Sequence, residues 1–253
     1  TAEDFVHADG TKLIGADGEE FHIKGIALGN SVWDNPSVPN TSHHDAKAYK
    51  DLADMGFNCA RFYLNYGIFE DDKNPYHYKK AGFDWIDTNI KWANKYGIKL
   101  ILNMHVPQGG YQSGGNGTEL WTDKSDRDRL TALWKAIAKR YANEPMIIGY
   151  GLVNEPNIPM QKTVEKTFEQ YDSLMNRMAK EIRKVSPYQV IFIEGINGVV
   201  KENGERVYDL FTPENCFAEI EDSNIVYEFH KYDSFFFTHQ NTEWAGTLGR
   251  TMT

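Results

Sequence analysis

Residues 147–156 of this 253-residue chain read IIGYGLVNEP, an apolar run that ends in a polar Asn-Glu-Pro sequence. A nearly continuous apolar run of this length is typical of a strand that is covered on both faces, as in a parallel sheet. Five other segments have a similar strand pattern, namely residues 23–29, 58–64, 98–104, 189–193 and 224–230. Most are followed by a loop and a helical pattern, which predicts parallel β-α-β units.

Six such units predict an α/β fold of the (β/α)8 or TIM barrel type that lacks its last two strand–helix units within this sequence. Residues 1–253 are interpreted as one domain, incomplete at its C-terminus. Residues 11–14 and 20–23 flank a glycine-containing turn and predict an N-terminal β-hairpin. The rival architecture is an open doubly wound sheet, but no glycine-rich phosphate-binding turn follows the first strand.

The composition excludes several classes of function. The net charge of −9 argues against a nucleic-acid partner, whose phosphates require a basic surface, but it permits a neutral polymer. No apolar run approaches the ~18 residues of a membrane span. The two cysteines, Cys59 and Cys216, have no zinc-type spacing, so no metal is expected.

Polar side chains follow the predicted strands where each strand ends. Arg61 lies at the end of the second strand, His105 follows the third, and Glu155 follows the fourth. His230 and Tyr232 follow the sixth. Because active sites of such barrels lie at the carboxyl ends of the strands, these side chains are expected to converge on one pocket.

These residues carry a resemblance to a known family. Residues 152–156, taken with Arg61, His105 and residues 230–232, resemble glycoside hydrolase family 5, the cellulase-type barrels. Segments 25–30, 103–110 and 237–245 are also similar to that family, so the resemblance covers essentially the whole chain in the correct order. It implies a retaining endo-acting hydrolase of β-1,4-linked glucan, with mannan or xyloglucan as alternative substrates, and a secreted, periplasmic or cell-surface location.

The resemblance also implies roles for individual residues. Glu155 would act as general acid and then as base, with a pKa that burial or a neighbouring charge should raise. Asn154 would bind the sugar 2-hydroxyl. Arg61 and Tyr232 would hold the nucleophile, while His105 and His230 would line the subsite at the cleaved bond. No cofactor is expected, because carboxylates perform the acid–base and nucleophilic steps.

Three residues in strand-end loops, Asn30, Trp33 and Trp121, are candidates for binding or stacking on sugar units. Each assignment has a structural alternative: the tryptophans could fill the core, His105 could be a core histidine, and Arg61 an interior ion-pair residue. For Glu155 the structural alternative is weakest, because a carboxylate after an apolar strand and before proline has little structural purpose.

One element of the family pattern has no match. The resemblance implies a nucleophilic glutamate at the end of a seventh strand, whereas Glu243 follows the sixth strand too closely. Glu194, Glu221 and Glu228 lie at the fifth and sixth strands and receive no catalytic role. Three interpretations stay open: a barrel whose remaining strands are absent from the sequence, a barrel completed by a second chain or an exchanged subunit, and a glycan-binding pseudoenzyme without turnover.

Overall fold

The computed structural model describes residues 1–34 and 36–249, and a parallel sheet of six strands organises them. The strands are β3 (Gly25–Leu28), β4 (Cys59–Asn65), β5 (Lys99–Val106), β6 (Ile147–Gly151), β8 (Val190–Glu194) and β11 (Ile225–Glu228). Each strand pairs with the next of these along the chain, in the order β3-β4-β5-β6-β8-β11. This order has no reversal, so the doubly wound alternative is wrong and the barrel prediction is confirmed.

Helices connect the strands and cover the outer face of the sheet. They are α1 (Ala46–Asp54), α2 (Lys80–Tyr96), α3 (Glu119–Thr122), α4 (Lys124–Tyr141), α5 (Val164–Arg183) and the short α6 (Phe235–Thr238). Side-chain caps fix several starts: Asp45 accepts from the Lys47 amide and Asp123 from the Ser125 amide. Helix α2 ends at Gly97, whose φ of 70° is the left-handed conformation that glycine adopts at low cost.

Two apolar layers stabilise the sheet. The larger layer lies between strands and helices and contains fully buried Trp134 and Tyr150. The smaller lies on the inner face and contains Val6, Cys59, Ile101, Ile148, Val190 and Phe192. Strands β3 and β11 are the sheet edges, and a cavity of about 710 Å³ lies between them. Within the described residues, no seventh or eighth strand joins this sheet.

The N-terminal hairpin exists, but its arms differ from those expected. Strand β1 (His7–Asp9) pairs with β2 (Lys12–Ile14) across a two-residue turn in which Gly10 has a φ of 59°. The predicted second arm contributes a single bridge, between Ile14 and Glu20. Gly10 and Gly18 both adopt the left-handed conformation that such turns need, so β2 pairs with β1 on one side and bridges to the predicted arm on the other.

A second small sheet lies beside the carboxyl ends of β6 and β8. Strand β7 (Asn157–Pro159) pairs in parallel with β9 (Gly198–Val200), which pairs antiparallel with β10 (Arg206–Val207). Because β7 begins two residues after Glu155, this sheet fixes the backbone that leaves the strand end. None of the described helices is both long and apolar enough to cross a membrane.

Candidate active site

Strand alternation explains why polar groups collect at one end of the inner face. Successive side chains of a strand point to opposite faces, so every second residue shares a face. On β5 the inner face runs from Ile101, in the inner apolar cluster, to Asn103 and His105. On β8 it runs from Phe192, in the same cluster, to Glu194. Both strands are therefore apolar at their start and polar at their carboxyl end.

Arg61 is the centre of this polar group. Its guanidinium donates two hydrogen bonds of 3.2 Å to Oδ1 of Asn154. The same guanidinium forms a short ion pair with Glu194, and its Nε lies 2.8 Å from Oε1 of Glu228. Arg61 is the third residue of β4 and not, as the sequence suggested, its last, and it joins β4 to the carboxyl ends of β6, β8 and β11.

Glu155 lies directly beside this group. Its backbone has a φ of 44°, a conformation that non-glycine residues rarely adopt. The Glu155 amide donates a 2.6 Å hydrogen bond to Oε2 of Glu194, and its carboxylate Oε1 lies 2.6 Å from Nδ1 of His230. Unfavourable backbone geometry that is held by such contacts is common at functional sites.

The pKa shifts of this pair favour a protonated His230 beside an ionised Glu155. Burial raises the pKa of Glu155, but hydrogen bonds from His230 and Ser113 outweigh burial and hold the pKa below its ordinary value. Burial lowers the pKa of His230, but the bonded Glu155 and the carboxylates of Glu228 and Glu194 raise it to about 10. The expected raised pKa of Glu155 is therefore wrong for the unliganded protein, because an imidazolium lies against the carboxylate.

Two carboxylates that received no role from the sequence belong to this site. Glu194 is almost completely buried; its burial, together with the charge of Glu228, raises its pKa above the ordinary value despite Arg61. Glu228 is less buried and faces both Arg61 and Nε2 of His230, the latter at 3.8 Å. Their positions follow from alternation, since each ends a strand on the face that carries Arg61.

His105 is buried, and its ring stacks on Tyr63 with the centroids 3.8 Å apart. Burial, followed by the charge of Arg61, lowers the pKa of His105 to about 3, so the ring is neutral at ordinary pH. Tyr232 is half exposed, and its ring lies edge-on to His230 at a centroid distance of 6.4 Å. Both therefore border the site, and their catalytic roles stay predictions.

The three predicted sugar-binding residues differ in exposure. Trp33 is exposed, and its ring lies edge-on to His105 at 5.7 Å, so it offers a face beside the site. Asn30 is buried and donates to the carbonyl of Tyr63. Trp121 is fully buried, and its Nε1 donates to Gln112. The assignment of Trp121 as a sugar platform is contradicted by this burial, and Asn30 has no exposed amide for a sugar.

The same cluster offers a possible set of metal ligands. Atoms of Glu194, Glu228 and His230 lie within 4.8 Å of one another. However, Arg61 already contacts both carboxylates and balances part of their charge without a metal ion. The positive charge that these carboxylates need is therefore supplied by the protein itself.

Comparison with known proteins agrees with this geometry. The family model for cellulase, glycosyl hydrolase family 5, matches residues 14–251. Endoglucanase C of Acetivibrio thermocellus is 32% identical over 225 residues, which cover 87% of this chain and 60% of that protein. Cellodextrinase A of Ruminococcus flavefaciens is 27% identical over 226 residues, covering 88% of this chain and 62% of that protein.

Solved structures have the same fold. A glycoside hydrolase crystal structure matches with a TM-score of 0.66 and 26% identity, covering 88% of this chain and 65% of the other. Thermotoga maritima Cel5A in complex with cellobiose matches with a TM-score of 0.65 and 24% identity, covering 90% and 68%. The chain spans about 60% of the length of the first curated relatives that it matches.

Proposed function

This chain belongs to the cellulase family, glycosyl hydrolase family 5, and we propose that it hydrolyses β-1,4-linked glucan within the polymer, with Glu155 as acid and base. The observation that carries the proposal is the hydrogen bond between the Glu155 carboxylate and His230, beside the Arg61 group at the carboxyl ends of the strands. This is where barrel enzymes place their reacting groups.

The pair can supply and recover one proton. The raised pKa of His230 favours a proton on its imidazole, whose Nδ1 lies 2.6 Å from Oε1 of Glu155. We propose that this proton moves to Glu155 when substrate binds, and that Glu155 donates it to the glycosidic oxygen as the bond to the anomeric carbon breaks. A second carboxylate bonds to the anomeric carbon as the glycosidic bond breaks. Glu155 then removes a proton from water, whose oxygen displaces this carboxylate from the anomeric carbon, and the proton returns to His230.

Retention by double displacement requires a second carboxylate that attacks the anomeric carbon from about 5–5.5 Å. Glu194 and Glu228 are the described carboxylates nearest to Glu155, but both contact Arg61, and the raised pKa of Glu194 weakens it as a nucleophile. We therefore propose that the nucleophile enters from a strand that occupies the gap between β3 and β11. A continuation of the chain or another subunit would supply this strand.

A glycan-binding protein without turnover is the second candidate. The observation that favours it is the commitment of both neighbouring carboxylates to Arg61 while Trp33 stays exposed at the cleft. Such a protein would bind β-glucan but release no reducing ends. The first experiment must therefore measure binding and cleavage separately.

Substrate choice within the β-glycans is also part of the proposal. Thermotoga maritima Cel5A has been solved with cellobiose and with mannotriose, so related folds accommodate both sugars. Glucan is preferred here because endoglucanases from Acetivibrio thermocellus and Paenibacillus polymyxa are among the relatives. Because such polymers lie outside cells, we propose that the protein acts in a secreted, periplasmic or cell-surface location.

The test uses the protein with its barrel closed by the continuation of the chain or by the second subunit, and soluble β-1,4-glucan, xyloglucan and mannan as substrates, with reducing ends and binding measured for the same samples. We expect glucan to give the fastest release, and Glu155→Gln to lower it about 10²–10⁴-fold with binding retained. Glu202→Gln changes an exposed carboxylate and serves as the control. Binding without release by the unaltered protein would favour the second candidate, and release by Glu155→Gln at the normal rate would remove Glu155 from the mechanism.

A further inference from the structure

We propose that Ser113 is a positioning residue whose single hydroxyl connects Asn154 to Glu155 and sets the alignment and protonation of the acid/base carboxylate. The proposal rests on the function proposed above for Glu155. Ser113 lies in the loop between β5 and α3, and neither its position in the sequence nor the family resemblance singles it out.

The hydroxyl can serve both neighbours at once. Nδ2 of Asn154 donates to Oγ of Ser113 at 3.0 Å. A serine hydroxyl has one proton to donate and can accept as well, so this contact leaves the proton of Ser113 available. That proton can then be donated to the neighbouring Glu155 carboxylate, and a hydrogen bond from Ser113 is one of the causes that lower the pKa of Glu155.

The link continues into the Arg61 group. Oδ1 of Asn154 accepts from Arg61 while its Nδ2 donates to Ser113, so this amide is used at both ends. Rotation of Asn154 by half a turn would place a donor against the guanidinium and an acceptor against the serine oxygen. The Arg61 guanidinium therefore fixes the amide with Nδ2 toward Ser113, and a serine oxygen that accepts from Nδ2 keeps its own proton for another acceptor.

The loop that carries Ser113 is itself held against the site. Nη1 of Arg206, on β10, donates to the carbonyl of Ser113 at 3.1 Å. Gly115 has a φ of 72°, and a Cβ there would lie 2.6 Å from Cδ of Arg206, so the loop passes closely under that side chain. Gln112 adds a second tie, because its carbonyl accepts from Nδ2 of Asn157 at 3.0 Å.

The small sheet of β7, β9 and β10 holds the chain on both sides of the site. Strand β7 follows Glu155 along the chain, and β10 contacts the loop that carries Ser113. The sheet thus connects the acid/base residue and its serine partner through one set of backbone pairs. A serine that served only loop structure would not need to contact both residues of the Asn-Glu pair.

The test is a direct titration of Glu155 by ¹³C NMR of its side-chain carboxyl, assigned by the loss of that signal in Glu155→Gln. We expect Ser113→Ala to shift the titration midpoint of Glu155 upward, because an ionised carboxylate loses a donor. Ser113→Thr retains a hydroxyl and should titrate like the unaltered protein. Ser125→Ala, an exposed serine on α4, is the matched control.

Turnover supplies a second readout. In Ser113→Ala we expect kcat to fall about tenfold while KM changes less than twofold, with recovery in Ser113→Thr. An unchanged titration midpoint in Ser113→Ala would overturn the proposal, as would an equal shift in Ser113→Thr. If the unaltered protein releases no sugar, the proposed hydrolysis fails, but the titration still decides the role of Ser113.

Discussion

The middle and the edges of the sheet contain similar residues in different surroundings. Ile101 on β5 is 6% exposed, whereas Ile26 on β3 is 43% exposed, although both line the same inner cavity. Phe192 on β8 is 3% exposed, and Phe229 directly after β11 is 74% exposed. Burial is therefore decided by whether a strand has a partner on both sides, and the residue type alone does not reveal it.

The candidate active site contains residues from both the middle and the edge of the sheet. Glu155 follows β6, where Trp134 donates from Nε1 to the carbonyl of Leu152 and the Asn154 amide donates to the carbonyl of Met104. His230 follows the edge strand β11, whose outer side has no partner among the described residues. Glu155 therefore follows a strand that has partners on both sides, whereas His230 follows a strand that has a partner on one side.

The largest expected effect is a difference in stability between a variant in the middle of the sheet and a variant at its edge. We expect Ile101→Ala to lower the free energy of unfolding by about 2–5 kcal/mol, because it leaves a cavity among packed residues. In residues 1–253 alone, Ile26→Ala should cost less than about 1 kcal/mol, since much of that side chain contacts water until a further strand occupies the gap beside β3. Urea denaturation of both variants checks this difference. Equal losses would mean that a partner strand covers β3 in solution.

The second prediction concerns the hydrogen-bonded pair of Glu155, from the middle of the sheet, and His230, from its edge. The lowered pKa of Glu155 stabilises the fold above about pH 4.5, and this contribution is lost as the pH falls. The raised pKa of His230 stabilises it below about pH 6.5, and this contribution is lost as the pH rises through about 10. The pair should therefore contribute most between pH 4.5 and 6.5.

The measurement is the free energy of unfolding of His230→Gln against pH. We expect it to lie about 1.5–3 kcal/mol below that of the unaltered protein in this window, as for a hydrogen bond between charged groups, with the gap narrowing on both sides. His22→Gln, an exposed histidine, is the control. A gap that does not vary with pH would show that His230 contributes only by packing.

The smallest expected effect compares two exposed tryptophans. Trp33 lies beside His105 at the cleft, whereas Trp244 contacts His239 in the segment after the edge strand. We expect Trp33→Ala to weaken glucan binding about fivefold, roughly the 1 kcal/mol that one aromatic contact contributes. Trp244→Ala should leave binding within twofold. Isothermal titration with a cello-oligosaccharide measures both, and the reverse order would move the binding surface to the edge.

The sequence predicted the strand order and the convergence of Arg61, Glu155 and His230, because apolar runs and polar strand ends are local patterns. It did not reveal that Glu194 and Glu228 share the site, although their place on the inner face follows from alternation. The reason is that their partner Arg61 is distant in sequence, so the ion pairs exist only after the strands align.

Trp121 shows the opposite error. A tryptophan in a strand-end loop suggests an exposed platform, but Gln112 accepts from its Nε1, and the carbonyl of Trp121 accepts from Gln170 on α5. Long-range packing buries the ring, and no local pattern reports it. The N-terminal hairpin was predicted only in part, since Gly10 and Gly18 both lie in turns and residues 12–14 pair with residues 7–9 on one side and bridge to Glu20 on the other.

Proton donation by Glu155 is tested most directly with two aryl β-cellobiosides, one with a good leaving group and one with a poor leaving group. A good leaving group departs without protonation, so we expect Glu155→Gln to keep kcat/KM, which reports the first bond cleavage and not the later base-assisted step, within about tenfold of the unaltered protein. For the poor leaving group the loss should be about 10²–10⁴-fold. Equal losses for both substrates would contradict the role of Glu155 as the acid.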